Sequence, residues 1–262
     1  MDTYGVLGFP LGHSLSPRLH GLIYREMGVE AIYNRYELPP ELAGNMVQVM
    51  RLTGMRGFNV TMPYKKVILN RLDALSPEAG KLGAVNTVEL RSDGAAVGHN
   101  TDYFGFLMQL RRCGVPIRGQ RFVLCGQSGA GSAITQALLD NGAAQVLTAS
   151  RDASRGVTYD SLRSLTGFDT IINCTPLGMF PEVDGCIVEE EVLSNFGTAV
   201  DIVYNPCETL FLRRAARLGL KAVGGLYMFI FQGVRAFEIW TGKTVGEQAG
   251  DRIYDEMNAD FL

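Results

Sequence analysis

Short apolar runs alternate with segments of helical periodicity along the first hundred residues of the chain. Runs rich in β-branched and aromatic residues predict strands at Tyr4–Gly8, Ile32–Glu37 and Gly57–Thr61. Apolar residues at helical spacing predict a helix from Pro17 to Met27, and Gly28 then ends it. Strands that alternate with helices are typical of α/β folds, so we predict a mainly parallel sheet with crossover helices.

The same alternation continues after Asp102 and predicts a second unit. Helices are predicted over 103–112 and 130–140, and strands over 121–126, 145–150, 170–175, 199–204 and 221–224. This order is typical of a doubly wound, Rossmann-type nucleotide-binding unit. Two further helices, over 226–241 and 245–261, follow the last strand, and we expect them to pack back on the first unit. We therefore predict an α/β fold of two domains with a cleft between them, residues 1–102 with 226–262 and residues 103–225.

Composition and charge exclude several classes of function. Hydrophobic residues make up 47% of the 262 residues and charged residues 19%, so the chain can bury sizeable cores and is not predominantly disordered. The formal net charge is −3 with no block of like charge, which disfavours binding to nucleic acids or to anionic membranes. The most apolar segment, Leu226–Trp240, is too short and too polar to cross a bilayer.

Cysteine and histidine usage argues against a metal site and indicates a reducing compartment. The five cysteines form no CxxC pair, and with only three histidines no metal-ligand spacing appears. We interpret all five cysteines as free thiols. The N-terminal segment has no cationic region and no long apolar stretch, so we expect no signal peptide and a cytoplasmic protein.

A glycine-rich loop lies between the first strand of the second unit and the helix that follows. The segment from Gly126 to Gly131 matches the dinucleotide fingerprint G-x-G-x-x-G, with Ser128 at the second glycine position. In such a loop Gly126 allows a tight turn, and the backbone at the second glycine position, where the small Ser128 fits, approaches a pyrophosphate at the positive helix end. The alternative is that these glycines only tighten the start of the helix. The strand–turn–helix context favours dinucleotide binding.

The end of the next strand indicates which dinucleotide is bound. NAD-binding proteins usually carry an acidic residue there for the ribose 2′-hydroxyl, whereas this chain has Ser150 followed by Arg151 and Arg155. A guanidinium pairs well with a 2′-phosphate, so the sequence favours NADP over NAD. The alternative is that Asp152, one residue after Arg151, holds the ribose diol.

Two hydroxyl side chains lie two residues apart ahead of the first helix. Ser14 and Ser16 point to the same side if the chain is extended, and Pro17 biases Ser16 toward that geometry. A pair of hydroxyls suits a polar, anionic or polyhydroxylated ligand. Ser16 has a structural alternative as the N-cap of a helix with proline at its first position, whereas Ser14 has none.

Polar positions outside the nucleotide unit are candidates for catalysis or binding. The segment NVTMPYKK is predicted to run from a strand into a helix whose first turn carries Lys65 and Lys66. Cations are disfavoured there by about 0.3–1 kcal/mol, which indicates a functional reason for Lys65, while we interpret Lys66 as a solvated surface residue. Asp102 or Thr101 could simply cap the next helix, and Asn86 could lie in an ordinary loop before a strand.

Six segments of the chain, taken together, resemble the shikimate dehydrogenase family in order, spacing and coverage. They are GFPLGHSLSP, NVTMPYKK, GAVNT, GHNTDYFG, DIVYNP and QGVRAFEIWTG, and the resemblance extends from residue 5 to beyond residue 240. It implies the reversible reduction of 3-dehydroshikimate to shikimate with NADPH, on the route to aromatic amino acids. It also implies an α/β substrate domain completed by the C-terminal helices and a Rossmann domain for NADP. The alternatives are a quinate/shikimate or aminoshikimate dehydrogenase that uses NAD or NADP, and a non-catalytic protein of the same fold that senses the metabolite.

The resemblance also implies roles for individual residues. It places the catalytic lysine on Lys65 and its acidic partner on Asp102. The implied substrate contacts are Ser14, Ser16, Thr61, Asn86, Tyr204 and Gln232. The predicted cofactor contacts are Gly126, Ser128, Gly129, Ala130, Ser150, Arg151, Arg155, Ile202 and Gly225. The family usually has glycine in place of Ser128 and asparagine in place of Ser150, and both departures concern the cofactor. We expect a monomer or homodimer with a small-molecule substrate and no nucleic-acid or membrane partner.

Overall fold

The chain divides into two compact units. The computed structural model describes residues 1–12, 14–126, 129–152, 154 and 156–261. Unit 1 comprises Met1–Phe104 with Ile230–Met257, and unit 2 comprises Gly105–Phe229 with Asn258–Leu262. The boundaries at 104/105 and 229/230 fall inside helices, a few residues beyond the helix starts from which the sequence-based division was drawn. A third boundary, at 257/258, falls near the end of the last helix and assigns to unit 2 the final residues, which were predicted to belong to the first domain. A continuous helix shows no change of periodicity where its contacts pass from one core to another, so the sequence could not mark these points.

Unit 1 is built on a six-stranded mixed sheet. Its strands are β1 (Asp2–Gly8), β2 (Ala31–Glu37), β3 (Gly57–Val60), β4 (Ala74–Leu75), β5 (Thr87–Leu90) and β6 (Ala96–His99). They lie in the order β2-β1-β3-β5-β6-β4, and the β3–β5 and β5–β6 pairs are antiparallel. The predicted strands are confirmed, and three of the five strand pairs in this sheet are parallel, as predicted for a mainly parallel sheet. The two antiparallel pairs were not predicted. The missed strands β4, β5 and β6 have two to four residues each, too short to show an alternating pattern.

Short helices cover the sheet of unit 1. They are α1 (Ser16–Glu26), α2 (Pro40–Ala43), α3 (Met46–Thr53) and α4 (Pro77–Leu82), with a 3₁₀-helix at Val67–Arg71. Helix α1 buries Leu19, Leu22 and Ile23 on one face, and Gly28 follows its end with a φ of +59° that favours glycine. The main apolar cluster includes Met50 and Phe58.

The helix predicted to start beside Lys65 does not form. Residues 62–66 make a turn instead, and the 3₁₀-helix begins only at Val67. The carbonyl oxygen of Lys65 accepts a hydrogen bond from the Val85 N–H at 2.8 Å, and the buried Tyr64 donates its hydroxyl to the Leu38 carbonyl. The Lys65 carbonyl, which would bond within a helix, is thus bonded to a residue distant in sequence, and the sequence pattern does not show this contact.

Unit 2 is a doubly wound α/β unit, as predicted. Its strands are β7 (Arg121–Cys125), β8 (Gln145–Ala149), β9 (Thr170–Asn173), β10 (Thr198–Asp201) and β11 (Lys221–Val223). All five are parallel, in the order β11-β10-β9-β7-β8. After β7 the chain adds β8 on one side of that strand, and it later adds β9 on the other side. The carboxyl ends of β7 and β9, at Cys125 and Asn173, therefore flank the switch point where such sheets bind ligands.

The helices of unit 2 pack around an apolar centre that includes Val123, Ile171 and Phe211. They are α5 (Asp102–Arg112), α6 (Gly129–Asp140), α7 (Glu190–Leu193) and α8 (Leu210–Arg217), with a 3₁₀-helix at Asp160–Ser164. Helix α5 begins in unit 1. Helix α9 (Leu226–Thr241) continues from unit 2 into unit 1, and α10 (Glu247–Ala259) follows it.

Two further observations bear on the classes of function considered above. None of the helices in the ranges described here has the length and apolar character that crossing a bilayer requires. Within the same ranges, no three His, Cys, Asp or Glu side chains are grouped so as to hold a metal ion.

Candidate active site

The structure brings Lys65 and Asp102 into direct contact, although 37 residues separate them in the chain. Lys65 lies on the turn after β3, and Asp102 is the first residue of α5. The Lys65 Nζ donates to Asp102 Oδ2 at 2.5 Å. Their side chains are 17% and 8% exposed, so the pair is largely shielded from water but still reachable. A shielded ammonium held by one carboxylate can give a proton to, or take one from, a ligand oxygen beside it.

The Asn86 side chain fixes the other oxygen of the same carboxylate. Its Nδ2 donates to Asp102 Oδ1 at 2.8 Å and to Thr101 Oγ1 at 3.0 Å, while its Oδ1 accepts from the Thr101 N–H at 2.7 Å. The Asp102 N–H in turn donates to Asn100 Oδ1 at 3.1 Å. The amide of Asn86 therefore orients the Asp102 carboxylate. The contact of Asn86 with a substrate stays a prediction. Such a contact would require an Asn86 group that already makes one of these hydrogen bonds to bond to the substrate as well.

A buried polar chain extends from Asn86 through residues that the sequence analysis did not select. Asn59 Nδ2 donates to Thr87 Oγ1 at 3.0 Å, and Asn59 Oδ1 accepts from the Tyr33 hydroxyl at 2.7 Å. Burial raises the pKa of Tyr33 well above its ordinary value, so the phenol stays neutral. The signal was present in the sequence, because Asn59 and Thr87 are polar residues inside apolar strand segments. They face each other in the antiparallel β3–β5 register.

The two serines have structural roles that differ from the expected ones. The structural alternative for Ser16, the N-cap, is not found: α1 begins at Ser16 itself, and Leu15 occupies the N-cap position with no side-chain cap. The Ser14 Oγ instead accepts the Ser16 N–H, at a long 3.4 Å, so Ser14 does have a structural contact. A hydrogen bond with the Ser16 side chain lowers the pKa of Tyr33, against the larger rise that burial causes. Both serines are half-buried. Their contacts with a ligand stay predictions.

The remaining predicted substrate residues divide between the two units. Thr61 follows β3 in unit 1, and its methyl group lies 2.4 Å from where a Cβ on Gly8 would be, so only glycine fits beside it. Gln232 lies on the part of α9 that belongs to unit 1. Tyr204 lies in unit 2, where its ring stacks on Phe229 with centroids 4.0 Å apart, and burial raises its pKa to about 12.

Gly126, the first residue of the predicted phosphate loop, directly follows β7 at the switch point of unit 2. Gly126 has a φ of +99°, and a Cβ on it would lie 2.5 Å from Thr175 Cγ2, so both conformation and space require glycine. Gly129 and Ala130 form the first turn of α6, whose backbone N–H groups suit an anion. A glycine turn followed by a helix start suits the pyrophosphate of a dinucleotide, and these contacts stay predictions. Ser128 lies outside the residues that the structure describes.

The residues predicted to select the cofactor follow β8, the strand beside β7. The Ser150 Oγ accepts the Asp152 N–H at 3.1 Å and so shapes the turn. Arg151 is exposed. Asp152 Oδ1 accepts both the N–H and the hydroxyl of Ser154, at 3.0 and 2.7 Å. A carboxylate oxygen committed to this turn is less available to a ribose diol, which favours the NADP interpretation. Arg155 lies outside the described residues.

Ile202 and Gly225, the last two predicted cofactor residues, lie against each other. A Cβ on Gly225 would lie 2.4 Å from the Ile202 carbonyl oxygen and 2.7 Å from that of Val203. The Gly225 N–H donates to the Val203 carbonyl at 3.1 Å. These backbones follow β10 and β11, and so belong to the same carboxyl edge of the sheet as Gly126.

Comparison with known proteins gives matches along the whole chain. Residues 6–88 match the family model described as "Shikimate dehydrogenase substrate binding domain", and residues 225–249 match "Shikimate 5'-dehydrogenase C-terminal domain". The chain is 39% identical to the shikimate dehydrogenase (NADP(+)) of Clostridium perfringens strain SM101, and the match covers 100% of both chains.

Solved structures give the same result. A chorismate mutase/shikimate 5-dehydrogenase fusion protein from Clostridium acetobutylicum is 39% identical with a TM-score of 0.95, over 100% of this chain and 98% of that one. The shikimate 5-dehydrogenase of Thermus thermophilus, in complex with NADP(H) and shikimate, is 34% identical with a TM-score of 0.87, over 98% and 99% of the two chains.

Proposed function

Because the chain belongs to the shikimate dehydrogenase family, we propose that it catalyses the reversible reduction of 3-dehydroshikimate to shikimate with NADPH. The observation that carries this proposal is the shielded contact between Lys65 and Asp102, with Asn86 on the second carboxylate oxygen. All three residues lie in unit 1, which contains the segment that matches the family's substrate-binding domain. Unit 1 is thus the proposed substrate domain and unit 2 the proposed cofactor domain.

In the proposed mechanism Lys65 moves the proton. When bound, NADPH supplies the hydride that reduces the substrate ketone. In the reducing direction the ammonium of Lys65 donates a proton to the ketone oxygen as it becomes a hydroxyl; in the reverse direction the lysine takes that proton back. Asp102 holds the ammonium in place and offers its carboxylate to the same hydroxyl. Asn86 keeps that carboxylate from rotating, so the carboxylate has the same orientation in each catalytic cycle.

Hydroxyl and amide groups are proposed to bind the rest of the substrate. Ser14 and Ser16 supply donors for the substrate carboxylate without a buried arginine. Thr61, Gln232 and Tyr204 are the remaining proposed contacts. Hydrogen bonds to a charged group are worth about 1.5–3 kcal/mol each, so a few of them suffice for a small polyhydroxylated acid.

The proposed cofactor is NADP, held by the carboxyl edge of unit 2. The glycine cradle at Gly126 and the first turn of α6 fit the pyrophosphate, and Arg151 with Arg155 would pair with the 2′-phosphate.

We also propose that the protein is cytoplasmic, since all five cysteines are free. One chain supplies Lys65, Asp102 and Asn86, so a monomer or a homodimer would each be functional.

The decisive experiment is a panel of steady-state kinetics with shikimate and quinate, each with NADP and NAD. We expect the highest kcat/KM for shikimate with NADP. A preference for NAD would favour Asp152 as the ribose ligand, and a preference for quinate would favour the related quinate/shikimate dehydrogenase activity. Absence of turnover with all four combinations, in a protein that binds NADP, would contradict the enzyme and support a metabolite sensor.

A further inference from the structure

Unit 2 buries a carboxylate that the proposed reaction does not use. Asp201, the last residue of β10, is fully buried. Its Oδ1 accepts from Asn173 Nδ2 at 3.0 Å and from the Val203 N–H at 2.9 Å, and its Oδ2 accepts from the Thr209 hydroxyl at 2.7 Å. Burying a carboxylate costs free energy unless several donors satisfy it. Desolvation raises the pKa of Asp201 to about 7, while these hydrogen bonds oppose the rise.

The donors reach Asp201 from both ends of one loop. Val203 stands near the start of the loop that follows β10, and Thr209 stands at its end. Thr209 is also the N-cap of α8, because its hydroxyl oxygen accepts the Leu212 N–H at 3.3 Å. One carboxylate therefore clamps the segment 202–208 at both ends. This segment carries Ile202 and Tyr204, a proposed cofactor contact and a proposed substrate contact.

The same carboxylate ties this loop to the one that follows β9. Asn173 uses one hydrogen of its amide for Asp201 and donates to the Leu177 carbonyl at 3.2 Å. Its Oδ1 accepts the N–H and the hydroxyl of Thr175 at 3.0 and 2.7 Å. Thr175 is the residue whose methyl group closes the space beside Gly126. The hydrogen-bonded chain thus runs from the start of α8 to Thr175, which packs beside Gly126.

Gln109 of helix α5 holds the backbone of the same region from the other side. Its Nε2 donates to the carbonyl oxygens of Asp201 and Gly224, at 3.0 and 3.1 Å. Gln109 is fully buried. The ends of β9, β10 and β11 are therefore joined by side-chain hydrogen bonds as well as by the sheet.

From this arrangement we propose that Asp201 is a positioning residue for the cofactor edge, which holds the loop bearing Ile202 and Tyr204 in its binding conformation. The proposal rests on the proposed function, because it assumes that NADP binds at this edge. An amide in place of the carboxylate could keep one oxygen for Asn173 and Val203, but it would turn an N–H toward Thr209, whose hydroxyl would then lose its acceptor.

The test is Asp201→Asn, which keeps the size of the side chain and removes one acceptor oxygen. NADPH binding is measured by cofactor fluorescence, at a pH at least about one unit above the pKa of Asp201 so that the wild-type carboxylate is ionised. We expect the dissociation constant to rise by about tenfold or more, the effect of one hydrogen bond to a charged group. Steady-state kinetics should show raised KM values for NADP and shikimate with a smaller change in kcat, since Lys65 and Asp102 lie in the other unit.

Asp169→Asn is the matched control. Asp169 immediately precedes β9, at the opposite edge of the same sheet, and its Oδ2 accepts the Arg121 N–H at 2.7 Å. This substitution also replaces a carboxylate that holds backbone, but away from the cofactor edge. Its NADPH dissociation constant should stay within about twofold of the wild-type value, a difference below the 1.4 kcal/mol that a tenfold change represents.

The number of NADPH sites per chain distinguishes a positioning role of Asp201 from a merely structural one. If Asp201 only supported folding, Asp201→Asn would reduce the number of NADPH sites per chain and leave the affinity of the remaining sites unchanged. Should that variant fail to fold by circular dichroism, the pair Thr209→Val and Thr209→Ser decides, since only the serine variant keeps the hydroxyl donor. We expect the valine variant to bind NADPH more weakly and the serine variant to bind it like the wild type.

Each outcome has a definite meaning. Wild-type affinity in Asp201→Asn, or in Thr209→Val if the first variant does not fold, would overturn the positioning role. Failure of the wild-type protein to bind NADPH would instead contradict the proposed cofactor, and so the proposed function. Weakened binding in Asp169→Asn equal to that in Asp201→Asn would also overturn the proposal, because the effect would then come from the sheet as a whole.

Discussion

At the scale of single residues, the proposed catalytic centre is one carboxylate held from two sides. Lys65 binds one oxygen of Asp102, and Asn86 binds the other. Removing the lysine leaves the carboxylate oriented by Asn86. Removing the carboxylate releases both neighbours at once. Replacing Lys65 and replacing Asp102 should therefore affect different sets of kinetic parameters, and not the same parameter by different amounts.

The first prediction concerns these two residues. Lys65→Ala should lower kcat by about 10²–10⁴-fold with little change in KM, because a general acid/base is lost. Asp102→Ala should harm both parameters. Because the two residues serve one proton transfer, the double variant should be much less damaged than the product of the single effects. Steady-state kinetics with shikimate and NADP measure all three.

Lys66→Ala is the control for this prediction, since Lys66 is the exposed neighbour of Lys65. Its kinetics should match those of the wild type. Strictly multiplicative losses in the double variant, or normal turnover by Lys65→Ala, would show that the ion pair is only structural.

The second prediction concerns cofactor choice. Arg151→Ala should reduce kcat/KM for NADP by about tenfold or more and change the value for NAD little, because only NADP carries the phosphate that a guanidinium binds. Arg163→Ala is the matched control, since Arg163 is an exposed arginine of unit 2 that pairs with Glu191. An equal loss with both cofactors would mean that Arg151 acts on something other than the 2′-phosphate.

At the scale of elements, two glycines in unit 1 lie in opposite environments. Gly57 lies in β3, where a Cβ would be 2.2 Å from Trp240 Nε1 and 2.5 Å from the Val88 carbonyl oxygen. Gly21 lies in the middle of α1, is exposed, and has open space where its Cβ would be. The same substitution should therefore act with opposite sign on the free energy of unfolding.

The third prediction follows from this contrast. Gly57→Ala should lower the free energy of unfolding by about 1–3 kcal/mol or more, since it overpacks the core beside the Trp240 hydrogen bond. Gly21→Ala should raise it by about 0.5–1 kcal/mol, since alanine loses less conformational entropy in a helix. Urea unfolding followed by circular dichroism measures both. A destabilised Gly21→Ala protein, or a Gly57→Ala protein as stable as the wild type, would contradict the packing described for these elements.

The elements also show how far the sequence could predict the structure. Long periodic segments were predictable, and α9 has the bounds that its apolar pattern indicates, Leu226–Thr241. Strands β4, β5 and β6 were not, because segments of two to four residues are too short to show a periodic pattern. Lys65 could be selected as a candidate from its unfavourable place in the first turn of a predicted helix, whereas the role of Asp102 came only from the family resemblance. Asn59 and Thr87 stand out as polar residues inside apolar segments, but their contact across the antiparallel β3–β5 pair was missed because no local pattern reveals that pairing.

At the scale of the whole molecule, the chain has two cores with different proposed ligands. The proposed proton-transfer residues belong to unit 1, and the proposed cofactor loops belong to unit 2. A ligand that binds only the native state stabilises it by about 2.7 kcal/mol at a concentration of 100 times its dissociation constant. Each ligand should therefore slow hydrogen exchange most in the unit that holds most of its proposed contacts.

The fourth prediction is a map of that protection. In hydrogen–deuterium exchange measured by mass spectrometry, NADP should slow exchange most in peptides that contain Gly126–Gly131, Ser150–Arg151 and Ile202. Shikimate should slow it most in peptides that contain Asn59–Lys65 and Asn86. Peptides of α3 provide an internal reference, because no proposed contact lies there. Protection by NADP confined to unit 1 would contradict the assignment of the two ligands.

The environment of Trp240 makes the optical spectroscopy of this protein unusually easy to interpret. It is the only tryptophan in the chain. Its ring stacks on Tyr4 with centroids 4.8 Å apart, and its indole N–H donates to the Val88 carbonyl at 2.9 Å, all within unit 1. Emission excited at the red edge of the absorption band therefore comes from the core of unit 1 alone, whereas far-ultraviolet ellipticity sums over both units. Melting curves recorded by the two signals would coincide if the units unfold together, and any separation between them would give the order in which the two cores are lost.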